Sequence, residues 1–457
     1  MTAEGDLELV RGLVGAALAS LEASRGRLDD LNVYPVPDGD TGTNLILTVR
    51  AVAEAVASAE ADRPALAQTV ARAALMGARG NSGVILSQIV RGVAEVLARS
   101  TNGIDPALTA RALRGASDAA YRAVRRPVEG TMLSVIRGLA EEAERHEGEA
   151  GPLGDLLVEL VRHGEETVAR TPEQLDVLRE AGVVDAGGAG LVELLRGLAG
   201  AVSGDVPPAA PAPAAFANMH EQQEQRERRL SLVPATRAKS GVVAVAAGEG
   251  NRLLFETLAE PVGTIRVVAG GQTADPSTAE LLAAVEALDA DEAIILPNNA
   301  NVRLAAEQAA DEAERPAAIV PTDSIPAGLA AVLVYDGTRG AAENAAEMRG
   351  AAAAVAAGEV MRASRDLELN GLAIRQGDWL GLAEGEPVAG GDDFAEVASG
   401  VVEQLLGRPR TVLTLLTGAE PPPLDGLVKR LTAAHPELEV EVHEGGQPHF
   451  PLLLGAE

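Results

Sequence analysis

Two carboxylates, Asp38 and Asp40, flank one glycine within Asn32-Val-Tyr-Pro-Val-Pro-Asp-Gly-Asp-Thr-Gly-Thr-Asn44. Carboxylates two positions apart on a loop stiffened by proline and glycine can converge on a hard divalent cation. Magnesium takes such oxygen ligands and leaves positions for water and substrate phosphates. The same tripeptide also builds ordinary turns and calcium loops, so the segment alone leaves both readings open. A second stretch, Gly77-Ala-Arg-Gly-Asn-Ser-Gly83, follows an apolar helical run and leads into the helical pattern Val84–Val90. Its glycines permit close backbone approach to an anion, and the first amides of the following helix carry positive partial charge. The plainer alternative is an interhelical turn capped by Asn81 or Ser82. The glycine spacing and the missing Lys-Ser/Thr pair exclude a Walker A loop. Glu129-Gly-Thr-Met132 and Val184-Asp-Ala-Gly-Gly-Ala-Gly190 again join helical patterns. Four such loops in one helical region point to one shared site.

The elements that must position these loops follow from periodicity. From Asp6 to about Gly204 apolar residues recur at helical spacing, as in Leu7, Val10, Leu13, Val14, Leu18 and Leu21, and the punctuation by glycine, proline and capping residues predicts about eight helices. Asp205-Val-Pro-Pro-Ala-Ala-Pro-Ala-Pro-Ala-Ala215 breaks the pattern, because repeated proline removes helix donors and favours an extended spacer. From Ser240 short β-rich runs at Gly241–Ala247, Thr264–Val268, Ala293–Leu296 and Ala317–Val320 alternate with amphipathic stretches, which predicts an α/β sheet layer. A helix around Ala341–Ala357, a hairpin region between Glu359 and Leu382 turning at Asn370-Gly371, and further alternation to the end predict a second α/β unit. The expected divisions are 1–204 helical, 205–239 linker and 240–457 α/β.

Composition narrows the function classes. A chain of 457 residues divides into two or three domains, and 47% apolar content supports packed cores. Only 2% of residues are aromatic, so close-packed Ala-rich helices must supply much of the cohesion. The formal charge of −29 opposes a nucleic-acid-binding surface, which needs basic groups to replace counterions. Phosphates can still be held where metal and backbone dipoles offset their charge. The absence of cysteine excludes disulfides, thiolate zinc sites and cysteine nucleophiles. No stretch reads as a membrane span or a secretory leader, so a cytoplasmic protein is expected.

The motifs Pro35-Val-Pro-Asp-Gly-Asp-Thr-Gly-Thr-Asn44, Gly77–Gly83, Glu129–Met132 and Asp185-Ala-Gly-Gly188 resemble, in order, the nucleotide-binding DhaL-type domain of dihydroxyacetone kinases, in the version found in the catalytic chains of fatty acid kinases (the FakA/YloV family). The resemblance continues through Gly270-Gly-Gln-Thr273, Pro276-Ser-Thr278, Leu296-Pro-Asn-Asn299 and Gly445-Gly-Gln-Pro448. It implies a multidomain fold, with an N-terminal all-α DhaL-like helical barrel followed by a C-terminal α/β region of the DegV/EDD type. It also implies ATP and Mg2+, with Asp38 and Asp40 as catalytic metal ligands. A third ligand lies upstream in the related kinases, and Asn32 or Asp30 is the substitute here. By the same resemblance Thr43, Asn44, Asn81, Ser82 and Gly83 stand on the phosphate side, Thr131 and Met132 border the base or ribose, and Asp185 and Gly187 close over the nucleotide. A fatty-acid-binding partner protein of the DegV/FakB type and a homodimer are further implications. The segment between the two halves is shorter than in the family, and its one histidine, His220, offers no structural metal site.

Phosphoryl transfer needs charge neutralisation and in-line positioning more than covalent help from the protein. A carboxylic acid is already ionised at neutral pH and attacks without a general base, which agrees with the lack of histidine in every loop motif. The expected activity is phosphorylation of a fatty acid to an acyl phosphate. The alternatives are a dihydroxyacetone-type kinase acting on a small hydroxylated metabolite and a non-catalytic ATP-binding regulatory module. Gly270–Thr273 with Pro276–Thr278 reads either as an anion pocket or as a strand-to-helix turn capped by Ser277.

Overall fold

The computed structural model describes residues 3–32, 39–100, 104–124, 126–146, 152–203, 237–259, 263–270, 275–363, 366–369 and 372–457. Asp38, Gln272 and Thr273, the Asn370-Gly371 turn and most of the expected linker, with His220, lie outside them.

The first half is helical. Its helices are α1 (Ala3–Leu31), α2 (Thr41–Ala57), α3 (Arg63–Gly77), α4 (Gly80–Ala98), α5 (Pro106–Ala123), α6 (Met132–Arg145), α7 (Leu153–Ala169), the short α8 (Thr171–Gln174) and α9 (Asp176–Ala181), and α10 (Ala186–Ser203). The eight long helices pack in sequence order, and α10 returns to α1 and closes the ring. This is the expected barrel, with two extra short helices inserted before the last stave. Starts follow local chemistry: Asp62 and Asp105 accept from the amides of Ala65 and Leu108, each with proline in the first turn. The interior is aliphatic and small, with Leu21, Leu28, Leu45, Ile136, Leu139 and Leu160 beside Ala110, Ala116 and Ala120. Short side chains let the staves approach closely, which is how a chain so poor in aromatics closes a core.

The second half contains two main sheets. Strands β1 (Ala238–Ala246), β2 (Ile265–Ala269), β3 (Ala290–Leu296) and β4 (Ala317–Ile319) form a parallel sheet in the order β2-β1-β3-β4. Its helices are α11 (Glu249–Ala259), α12 (Thr278–Glu286), α13 (Arg303–Glu312), α14 (Ile325–Leu333) and α15 (Ala341–Ala354). The remaining strands are β5 (Ala356–Arg362), β6 (Leu367–Leu369), β7 (Leu372–Ile374), β8 (Trp379–Ala383), β9 (Glu386–Gly391), β10 (Val412–Thr417), β11 (Glu439–Glu444) and β12 (Leu452–Ala456), with helices α16 (Phe394–Leu405) and α17 (Asp425–Ala434). Six of them form a mixed sheet in the order β11-β10-β12-β5-β8-β9, while β6 and β7 pair as a small hairpin around the expected turn.

The two sheets share one core containing Phe255, Leu296, Leu380 and Leu453. Gln447, from the Gly-Gly-Gln-Pro motif, fastens the joint. Its amide donates to the carbonyls of Leu416 (2.9 Å) and Phe450 (3.1 Å) and accepts from Asn251 at the start of α11 (2.9 Å). A buried amide so fully bonded holds a unique packing and is costly to remove.

Candidate active site

Three helix N-termini meet at one end of the barrel. The first turns of α2, α4 and α10 border a cavity of about 210 Å³, lined there by Asp40, Thr41, Asn44, Asn81, Ser82, Asp185, Ala186 and Gly187. Asn32 and Leu31 close one side, and Leu175, Val177, Leu178 and Val183 from the α8–α9 segment give an aliphatic wall. Uncompensated amides and aligned peptide dipoles make each such helix end attractive to anions, and three directed at one space make a strong phosphate cradle.

The caps leave side chains available. Asp40 is the N-cap of α2, yet its carboxylate makes no capping bond. The third amide of that helix, from Thr43, is capped instead by Asp29 Oδ1 from α1 at 3.1 Å, and the Thr43 hydroxyl donates to Asp29 Oδ2 at 3.2 Å. Arg79 precedes α4 with no side-chain cap, so neither Asn81 nor Ser82 acts as the cap and both stand in the first turn. Asp185 does cap α10, accepting from Gly188 at 2.6 Å and from the Met132 amide. Burial still pushes its carboxyl up to about 6.

Burial, and then the charge of Asp29, raises the Asp40 carboxyl above the usual range. Asn44 is 2% exposed, and its Oδ1 has no hydrogen-bond partner.

The second half of the chain reaches this same point. Asn44 Nδ2 donates to Asp275 Oδ2 at 3.2 Å, and Arg79 donates to the Asp275 carbonyl at 2.8 Å and pairs with Glu280 at 2.9 Å. The Thr278 amide donates to the Ala78 carbonyl, and Asn81 Nδ2 donates to Asn301 Oδ1 at 3.3 Å. These groups come from the loops after β2 and β3, at the carboxyl ends of the parallel strands, where open α/β sheets place their ligand contacts. The Ser277–Glu280 capping box is complete, which realises the capped-turn reading of Pro276–Thr278.

Residues 35–200 match the DAK2 domain, and residues 241–457 match the FakA-like C-terminal region of fatty acid kinases. The chain belongs to the FakA-like fatty acid kinase family. Protein YloV of Bacillus subtilis (strain 168) is 29% identical to this FakA-like chain over 545 residues, which cover 97% of this chain and 98% of YloV. An uncharacterised protein of Staphylococcus haemolyticus is 29% identical over 530 residues, covering 94% and 95%. Among solved structures, the C. freundii dihydroxyacetone kinase in complex with AMP-PNP and Mg2+ overlaps 42% of this chain and 33% of its own at 19% identity and TM-score 0.33. A Thermotoga maritima protein whose structure reveals a fatty acid binding function overlaps 48% and 99% at 13% identity and TM-score 0.35.

Within this FakA-like fold the expected site residues divide. Asn32, Asp40, Asn44, Asn81, Ser82, Asp185 and Gly187 line the cavity, whereas Thr43, Gly83, Thr131 and Met132 stand behind it. Thr43 is engaged with Asp29, and Gly83 packs where a Cβ would meet Thr48 at 2.6 Å. Thr131 caps α6, and Met132 is buried against Gly187. Asp30 is exposed on α1; the acidic residue facing the α2 start is Asp29. Sequence reasoning also missed Asp275, Asn301 and the α8–α9 wall. The cavity offers Asp40, Asn44 with its partnerless Oδ1, and Asn32, an all-oxygen set that fits magnesium rather than a softer ion. No helix among the described residues is long and apolar enough to cross a membrane.

Proposed function

We propose that this chain transfers the γ-phosphate of ATP to the carboxylate of a fatty acid held by a separate lipid-binding protein, giving an acyl phosphate for lipid synthesis. The observation that carries the reading is the convergence of three helix N-termini with Asp40 and Asn44 on one cavity. In the transfer an acceptor oxygen bonds to the γ-phosphorus while its bond to the bridging oxygen breaks, and ADP leaves with that electron pair. The amides opening α2 and α4 hold the phosphates by backbone donation, fixed before the reaction and costing no reorganisation during it. Asp40, with Asp38 two residues earlier and Asn32 or Asp29 upstream, would hold magnesium. When bound, that ion neutralises phosphate charge. Leu175, Val177, Leu178 and Val183 provide an apolar rest for the nucleoside.

A carboxylate acceptor suits the residues present. Asp185, the cavity carboxyl not assigned to metal, already accepts from Gly188 and Met132, and no other base among the lining residues stands ready to deprotonate a hydroxyl. Four aliphatic side chains are too few to enclose an acyl chain, which agrees with an acceptor carried by a partner. The test is to incubate the chain with magnesium-ATP, a fatty acid and a purified lipid carrier, and to trap acyl phosphate with hydroxylamine. Product should require every component. ATP consumption with dihydroxyacetone alone would reassign the acceptor, and ATP binding with no transfer to any acceptor would favour a regulatory module.

A further inference from the structure

Asp275 lies in the second half of the chain, just before α12, yet it is 1% exposed and packed against the barrel's cavity end. Its Oδ2 accepts from Asn44 Nδ2, and the side chains of Asn44 and Asp40 also lie within hydrogen-bonding reach of each other. Asp40 and Asn44 are themselves 4% and 2% exposed. Two buried carboxylates thus share one neutral amide. The nearest cation, Arg79, spends its guanidinium on the Asp275 carbonyl and on Glu280 rather than on either carboxylate oxygen. Buried negative charge of this kind is costly unless a cation balances it.

A second observation points into the same space. Asn44 Oδ1, an acceptor with two lone pairs, is buried with no hydrogen-bond partner, so the three residues present unspent oxygens together. Gly80 keeps the space open. A Cβ built there would stand 2.6 Å from Asn44 Nδ2 and 2.7 Å from Asp275 Oδ2, and its φ of +58° suits glycine. The position of Asp275 is enforced by an antiparallel bridge between Arg79 and Ser277, the Thr278–Ala78 backbone bond and the Arg79–Glu280 pair.

We propose that Asp275 is a cation ligand supplied by the α/β half, completing with Asp40 and Asn44 the magnesium-nucleotide site of the helical half. The inference rests on the nucleotide reading given above and deepens it: the barrel alone carries an incomplete site, and the docked second half finishes it within one chain. The reach from Asp275 to the cation is direct or through one bound water, and either geometry makes affinity depend on its charge.

Electron paramagnetic resonance of Mn2+ in the presence of AMP-PNP tests this without reference to turnover. The intact chain, Asp40→Asn, Asp275→Asn and Asp275→Ala are titrated, with melting curves to confirm that each is folded. Asp275→Asn preserves size and leaves the Arg79 bond to the backbone carbonyl intact. The expected result is an affinity for Mn2+ lowered about 10–100-fold in both Asp275 variants, as in Asp40→Asn. Unchanged affinity in a folded Asp275→Asn, with Asp40→Asn impaired, would overturn this inference and leave the nucleotide reading standing. Tighter binding would overturn it too, showing that Asp275 competes with the ligand. Failure of the intact chain to bind Mn2+ with AMP-PNP would overturn both.

Discussion

Arg79 and Glu280 pair at 2.9 Å across the seam between the helical barrel and the α/β half, and Glu280 is at the same time the reciprocal partner of Ser277 in the cap of α12. One carboxylate therefore serves both a helix start and an interdomain joint. Bonds from the Ser277 amide and from Arg79 hold it below its ordinary range despite burial. Arg79→Ala should loosen the seam by on the order of 1–2 kcal/mol, the partly exposed ion pair contributing the smaller share. Limited proteolysis should cut the 204–236 segment faster in the variant, and Mn2+ should bind more weakly. Unchanged proteolysis would mean that the other seam bonds suffice.

Gly80→Ala combines an unfavourable φ with two contacts below 3 Å. A loss of roughly 1–3 kcal/mol in stability is expected. Nucleotide affinity should fall with it, because the displaced groups are Asn44 and Asp275. A stable variant that binds AMP-PNP normally would contradict the packing described at the start of α4.

Gly250→Ala probes the joint between the two sheets far from the cavity. A Cβ there would stand 1.6 Å from the Glu444 carbonyl, so backbone must move. The expected cost is about 3 kcal/mol or more. Calorimetry should show the α/β half melting earlier while the helical half keeps its transition.

The pH dependence of stability has a specific contributor in Glu359. It lies on β5 between its register partners Leu453 and Leu382, and burial alone pushes its carboxyl from an ordinary 4.5 to about 7. The folded state therefore holds a proton that the unfolded state has lost between those values. Stability falls as pH rises through this window, and the penalty is complete above about 7. Glu359→Gln should raise stability at pH 8 by roughly 1–3 kcal/mol and leave it nearly unchanged at about pH 4. Equal effects at both pH values would refute the assignment.

Asp40→Asn bears on the proposed transfer itself. Loss of the buried charge should reduce acyl phosphate formation by at least about 100-fold while stability holds or rises, since a desolvated carboxylate is removed. Retention of most activity would move the cation elsewhere.

Much of this fold was legible because its signals are local. The Gly77–Gly83 break, the capping aspartates at 62 and 105 and the β-rich runs near Val242, Ile294 and Leu415 each mark an element within a residue or few of its observed bounds. Phase along a helix was less visible. Since α1 continues through Leu31, only one of its faces meets the start of α2, and that face carries Arg25 and Asp29, one turn apart, rather than Asp30. Asp275 and Asn301 were beyond reach for a different reason. Their approach to Asn44 and Asn81 depends on how two separately patterned halves dock, and no periodicity within either half encodes that. The α8–α9 wall was hidden because its aliphatic residues read equally well as core.

Strand β11 forms one edge of the six-stranded sheet and carries Glu439, Glu441 and Glu444 along its length beside the exposed Val442. Two copies of such an edge meeting side by side would set glutamates against glutamates, so the sheet resists extension into fibrils or strand-paired dimers despite its open backbone. Only a segment rich in lysine or arginine could zip onto that border at neutral pH.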